Sequence, residues 1–545
     1  MSKTIRRWSL TGLFVGLLCM MLVSVASGER PAMRGDQAID QKVREYTELL
    51  EAASQWSPEE INEDKLVFAS VRGMINTLDP HSYFLEPAGY HQMREKESGS
   101  YFGVGLLVTQ RNGHVTVITP FEGSPAARLG IRAGDIIAEV DSVATDSLGY
   151  QESVRRLKGP KGTQVTIKII RAGLEQPITM TVTRASIPTR SVVAVRMVGP
   201  ETGYVRVTDF TGTTAREFDE AMATLGAGGM KKLVLDLRGN PGGSLDAALS
   251  LSDHFLQKGD LIVMTKGRTE GSHQQYLAEG KQARLDVPVV VMVDHGSASA
   301  SEIVAGAIQD HDRGLVVGQT SWGKGLVQGV YNLQYGAGLA LTTAKYYTPS
   351  GRNIQRDYSS LYDYFAGDIR DTHTQEPAAV YSTVTGRQVF GGGGITPDVV
   401  ITPHALSRVT QLIEAHGILF DYGVDYVAKH PDADKSVEVT EAMVAELEQK
   451  ASEKGIGTIE EIKAALAETA DRNFIRRGMR AEIIAARYGY DASYGDRIAA
   501  DEEIARAIEL IPDAAKLAVA AAKARENKIA AGGAGPRLPE RAARR

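Results

Sequence analysis

Apolar and polar residues alternate with period two between residues 98 and 184. The segments "GVGLLVTQ", "HVTVITP", "GDIIAEVD", "TQVTIKII" and "PITMTVTR" follow one another at hairpin spacing, punctuated by glycine. This predicts a β-rich domain ending near Arg184. Ahead of it, residues 36–78 interleave charges with Val43, Tyr46, Leu49 and Leu50, and 36–95 reads as an N-terminal helical region. "LDPHSYFLEP" (78–87) is its turn-rich exit. Beyond "SIPTR" the pattern becomes strand–helix–strand. "TGYVRVTDF" and "KLVLDLRG" predict strands around the helix "TAREFDEAMATL", whose Phe218, Met222 and Leu225 share one face. "VPVVVMVD" is an almost unbroken apolar strand, which implies burial on both faces. The helix "ASASEIVAGAIQD", the strand "GLVVG" and the hairpin "LVQGVYNLQ"/"GLALTTAKYYT" complete an α/β domain over 188–402. Residues 357–390 read as a polar surface loop, 403–528 as helices, and 529–545 as a disordered tail.

The chain has 545 residues, enough for two to four domains. A net charge of −6 gives no global reason to expect nucleic acid as a partner. Residues 1–28 run basic (Lys3, Arg6, Arg7), apolar ("LFVGLLCMMLVSVA") and small (Ser27, Gly28), the layout of an export signal. The expectation is an exported, periplasmic protein, with an uncleaved inner-membrane anchor as the alternative. Cys19, the only cysteine, lies in that segment after Leu18 rather than a small residue, which argues against lipidation.

Gly318–Lys324 in "GQTSWGKGLVQ" matches G-x-x-x-x-G-K. A phosphate loop needs Ser or Thr after the lysine and a helix behind it. Gly325 follows instead, and the next residues alternate as a strand. Lys324 is then either a solvated turn residue or, with Trp322 and "LVQGV" around it, a buried lysine able to lose its charge and act as a base. As a base near pH 7 its pKa must drop roughly 3 units from about 10.4, or about 4 kcal/mol, which demands burial. The partner would be a serine in "DHGSASASEIVAGAIQD", where a strand turns into a helix whose N-terminal N–H groups can hold an oxyanion. Ser297, Ser299 and Ser301 compete. Taken alone, Ser299 reads as a helix cap, because Ser299–Glu302 matches the S-x-x-E capping box. His295 and His311, with Asp294 and Asp310 before them, read as helix-end residues rather than triad members, and no G-x-S-x-G is present.

The stretch "SASASEIVAGAIQDHDRGLVVGQTSWGKGLVQ" resembles the core of the carboxyl-terminal processing peptidases, tail-specific serine proteases with a Ser–Lys dyad (peptidase S41). "LDPHSYFLEP", "DLRGNPGGSLDAAL", "YYTPSGRNIQ" and "GGGGITPD" agree, and "YFGVGLLV" with "SPAARLGIRAGDIIAEVD" resembles their inserted PDZ domain. The resemblance spans roughly residues 36–402. It implies a multidomain α/β protein: a crotonase/ClpP-like peptidase core (188–402, with 36–95 contributing), a PDZ domain over 98–184, N-terminal helices and a C-terminal helical region. By the same resemblance Ser299 is the nucleophile, Lys324 the base, and Gln328 orients the lysine. Ala300 and Gly243, with Gly242 as alternate, supply the oxyanion hole. Phe102, Gly103, Val104, Gly105 and Leu106 bind a substrate's terminal carboxylate, and Lys158 couples the PDZ domain to the site. No cofactor or metal is implied. The expected partners are proteins with accessible C-terminal tails, a second copy in a homodimer, and an activating adaptor. The rival reading is a PDZ scaffold or adaptor with an inactive or partner-activated peptidase core.

Overall fold

The computed structural model describes residues 36–282, 285–358 and 379–530. Residues 1–28, read above as an export signal or anchor, and the residues beyond 530 lie outside the described residues. The central sheet has six strands, and their spatial order is their chain order: Val192–Gly199, Thr202–Val207, Lys232–Asp236, Val289–Val293, Leu315–Gly318 and Val399–Val400. The first pair is antiparallel and the others are parallel. Helices Thr214–Ala227, Leu245–Asp253 and Ala300–Asp310 cover one face. Phe218 and Leu225 are buried there as their shared helical face predicts.

"VPVVVMVD" shows what both-face burial means in this chain. Val289, Val291 and Val293 pack against those three helices. Val290 and Met292, pointing the other way, pack against Ile498, Ile504, Leu510, Ile511 and Ala514 of the C-terminal helices. The helical region is therefore the third layer of the domain. It also has a core of its own around Ile413, Leu447, Ile462, Ile475 and Met479.

The hairpin after Lys324 pairs Leu326–Asn332 with Gly338–Tyr347. Tyr83–Leu85, from the stretch expected to be only a turn, adds to it at Gly338–Ala340. The β-rich domain closes around Val117, Ile137, Ile167, Ile169 and Val182, all fully buried. Its entry strand Ser100–Gly103 pairs with its exit strand Ala185–Pro188, so both crossings to the core run side by side. Arg111 reaches across to Asp421 at 2.8 Å, joining this domain to the helical region.

The loop expected at 357–390 is only partly a loop. Val380–Ser382 and Gln388–Phe390 form a hairpin with Val389 buried. Its turn is fixed by Asp312, which accepts from Thr385 N–H (2.6 Å) and Arg387 Nε–H (2.7 Å). The anchoring carboxylate lies far away in sequence, so local polarity gives the wrong answer. Residues 359–378 of that stretch lie outside the described residues. At the other end, Ala530 still belongs to the helix Ile511–Ala530, so the tail expected from 529 begins in ordered structure.

Phe218 packs its ring against His254 and Phe255 beneath the sheet. Phe218→Ala is expected to cost about 3–5 kcal/mol, read as a lower urea midpoint with secondary structure intact in the absence of denaturant.

Candidate active site

Strand Val289–Val293 ends at Asp294, whose Oδ1 accepts from Gly239 N–H (2.8 Å) and Gly296 N–H (2.9 Å). The turn that follows uses two of its three serines as staples. Ser297 Oγ donates to Leu237 O at 2.8 Å, and Ser301 Oγ to Asn240 O at 2.9 Å. Ser299 remains, at the N-cap of the helix Ala300–Asp310, with φ 54° and ψ −110°. A non-glycine residue in that region carries about 1–3 kcal/mol of strain, tolerated where the surroundings over-determine it.

Glu302 does much of that over-determining. It is fully buried and receives four donors. Oε2 accepts from Ser299 N–H (2.7 Å) and Lys324 N–H (2.9 Å). Oε1 accepts from Ser321 Oγ–H (2.5 Å) and Gly323 N–H (2.7 Å). One carboxylate oxygen thus bridges the main chain of the serine and the main chain of the lysine. Burial pushes the carboxyl up from its ordinary range, while the Ser321 hydroxyl and the three N–H groups pull it down. The capping-box reading of Glu302 holds for its bond to Ser299 N–H. It reveals nothing of the bonds to 321–324.

Lys324 is partly buried between glycines that have no room for a side chain. A Cβ on Gly325 would lie 2.8 Å from Gln355 N, and one on Gly323 would lie 3.0 Å from Arg356 Cβ and from Gly394 N. Lys324 Nζ donates to Gln328 Oε1 at 2.8 Å, and Gln328 Nε2 donates in turn to His81 O. Burial lowers the lysine's pKa, and the charges of Glu302 and Asp79 act against it. His81 is held down at about 4, first by burial and then by the Lys324 charge. Asp79 braces this loop by accepting from His81 N–H, Ser82 N–H and Ser82 Oγ–H at 2.6–2.8 Å. Burial alone would raise Asp79, and these bonds outweigh it. Sequence reading missed Asp79 and His81 as neighbours of the lysine, although "LDPHSYFLEP" already stood out as a motif.

The "GNPGG" turn lies against the serine. A Cβ on Gly242 (φ 99°) would meet Ser299 Cβ at 2.8 Å and Ala300 N at 2.9 Å. Gly242 N–H is engaged by Asn240 Oδ1 at 2.9 Å. Gly243 is exposed, with its neighbours bonded to Phe210 through Gly242 O and Ser244 N–H. The two histidines near the serine are occupied elsewhere: His295 Nδ1 with Thr320 O and His311 Nε2 with Leu261 O. Among the β-domain residues, Gly103, Val104, Gly105 and Leu106 are buried and Phe102 is half exposed. Lys158 Nζ pairs with Glu95 of the helix Pro87–Ser98 at 2.8 Å and lies over the Tyr101 ring.

Comparison with known proteins gives the chain a family. Residues 201–360 match the model of peptidase family S41, and residues 117–171 match a PDZ domain. A carboxy-terminal-processing protease of Bartonella bacilliformis is 39% identical over 298 residues, 54% of this chain and 68% of that protein. A carboxyl-terminal-processing protease of Synechocystis is 35% identical over 358 residues, 64% of this chain and 81% of that protein. The carboxy-terminal processing protease CtpA of Bacillus subtilis is 33% identical over 330 residues, 60% and 69%. The chain therefore belongs to peptidase family S41, as a serine protease of the carboxy-terminal processing type with a PDZ domain.

Proposed function

We propose that Ser299 and Lys324 are the nucleophile and general base of this protease. The observation that carries the assignment is the Glu302 oxygen shared by Ser299 N–H and Lys324 N–H, which holds the two turns together. Neutral Lys324 takes the hydroxyl proton as Ser299 Oγ attacks the peptide carbonyl carbon. The oxyanion is held by the N–H groups of Ala300 and Gly243; Gly242 N–H already has a partner, which favours Gly243. Lys324 then gives its proton to the leaving amine, the C–N bond breaks, and water hydrolyses the acyl-enzyme with the lysine again as base. Gln328 and the His81 carbonyl fix the direction of Nζ. The PDZ domain binds peptide tails. We assign Phe102–Leu106 to the terminal carboxylate and Lys158, through Glu95, to the coupling between tail binding and the site. The exported location, the homodimer and an activating adaptor belong to the same reading and rest on the sequence.

Ser299→Ala is expected to abolish cleavage of an unfolded protein; degradation equal to that of the parent would remove Ser299 as nucleophile. Ser299→Gly is expected to be equally inactive yet more stable than Ser299→Ala by about 1 kcal/mol in urea, because glycine relieves the positive φ.

The kcat/KM profile should rise with pH as Lys324 loses its proton, with a midpoint below the ordinary lysine value of about 10.4. Asp79→Asn removes a charge that favours the ammonium, so the rise should move to lower pH. A rise that stays fixed or moves up would contradict the assignment of Lys324 as base.

A further inference from the structure

The strand that leads to the oxyanion turn ends in a buried ion cluster that the core does not complete by itself. Arg238 stands two residues before Asn240. Its Nε–H and one Nη2–H go to Asp236, at 3.0 and 2.8 Å, and its own N–H also reaches Asp236 Oδ1 at 2.9 Å. Tyr204 Oη–H completes that carboxylate at 2.6 Å. The remaining guanidinium donors leave the core altogether. Nη2 donates to Asp501 Oδ2 at 2.8 Å and Nη1 to Glu503 Oε2 at 2.6 Å. Both acceptors belong to the C-terminal helical region, at the start of the helix Glu502–Glu509 that Asp501 caps. The Arg238 side chain is only 9% exposed, and without the two outer carboxylates Asp236 alone would balance its charge.

What Arg238 anchors is connected directly to the site. Asn240 O accepts from Ala298 N–H at 3.0 Å and from Ser301 Oγ–H, on both sides of Ser299. Asn240 Oδ1 holds Gly242 N–H, and Asn240 Nδ2–H donates to Val207 O. Beside the cluster lies a cavity of about 650 Å³ lined by Tyr204, Arg206, Asp501 and Glu503. An Arg238 freed from its outer partners has room there to swing, and the segment 238–240 would move with it.

We propose that Asp501 and Glu503 are positioning residues for the peptidase: the C-terminal helical region, through Arg238, sets the placement of the 240–243 turn that presents the oxyanion donor. This rests on the reading of Gly243 N–H and Ser299 given above. It assigns the helical region a part in the chemical step, in addition to covering the sheet.

The test is the full-length double variant Asp501→Asn/Glu503→Gln, in which Asn keeps the helix cap while both charges are removed. Glu502→Gln, on the same turn but exposed and without a bond to Arg238, is the control. The expected result is a fall in kcat of about tenfold on a short peptide substrate, with KM within about twofold of the parent and unchanged helicity. A peptide aldehyde, whose adduct with the serine is tetrahedral, should bind the double variant correspondingly more weakly. The control should match the parent in all three measurements. Parental kcat and aldehyde affinity in the double variant would overturn the proposal. So would a loss of kcat that follows loss of helicity, since that is the behaviour of a merely structural contact. An active Ser299→Ala variant would instead sink the assignment of the nucleophile, so the two failures are distinguishable.

Discussion

The Glu302 carboxylate has no contact with water and is given four hydrogen bonds instead, from Ser299, Ser321, Gly323 and Lys324. A buried polar group is stable only under such full satisfaction, and removing any donor leaves an unpaired lone pair in a medium that cannot solvate it. This makes the arrangement all-or-none. The turn after strand Val289–Val293 and the turn after strand Leu315–Gly318 cannot drift apart without exposing the carboxylate to an apolar helix bed. The positive φ of Ser299, the close-packed glycines beside Lys324 and the contact of Gly242 with the serine all depend on that fixed separation.

Much of this was legible in the sequence because the relevant signals are local. The missing hydroxyl residue at Gly325 and the strand after it were enough to reject a phosphate loop, while the base role of Lys324 came only with the family resemblance. Phe218, Met222 and Leu225 announced their common face. What could not be read locally were partners far apart in the chain. Glu302 reads as a helix cap because its bond to Ser299 is three residues away, whereas its bonds to 321–324 come from a strand crossing. Asp79 and His81 reach Lys324 only because Tyr83–Leu85 pairs with Gly338–Ala340. The hairpin at 380–390 was hidden for the same reason: its anchor, Asp312, is more than seventy residues upstream.

The helical region shows a different limit. The unbroken apolar run "VPVVVMVD" demanded a second cover for the sheet but could not say which residues provide it. The cover comes from the other end of the chain, in helices whose own alanine- and charge-rich sequence looks like that of a free-standing bundle. Those helices carry Asp501 and Glu503 to the end of strand Lys232–Asp236, and Asp421 to Arg111 of the PDZ domain. One appended region therefore touches both the substrate-tail module and the catalytic layer.

That layering has a consequence for how the molecule comes into being. Ile511 and Ala514, which close over Val290 and Met292, leave the ribosome roughly two hundred residues after the strand they cover. Until the C-terminal helices arrive, one side of the central sheet lacks most of its cover, although Ser299 and Lys324 were synthesised roughly two hundred residues earlier. A growing chain thus carries its chemistry long before it can hold that chemistry in shape. The order of synthesis alone delays a fully covered sheet until the C-terminal helices have been made.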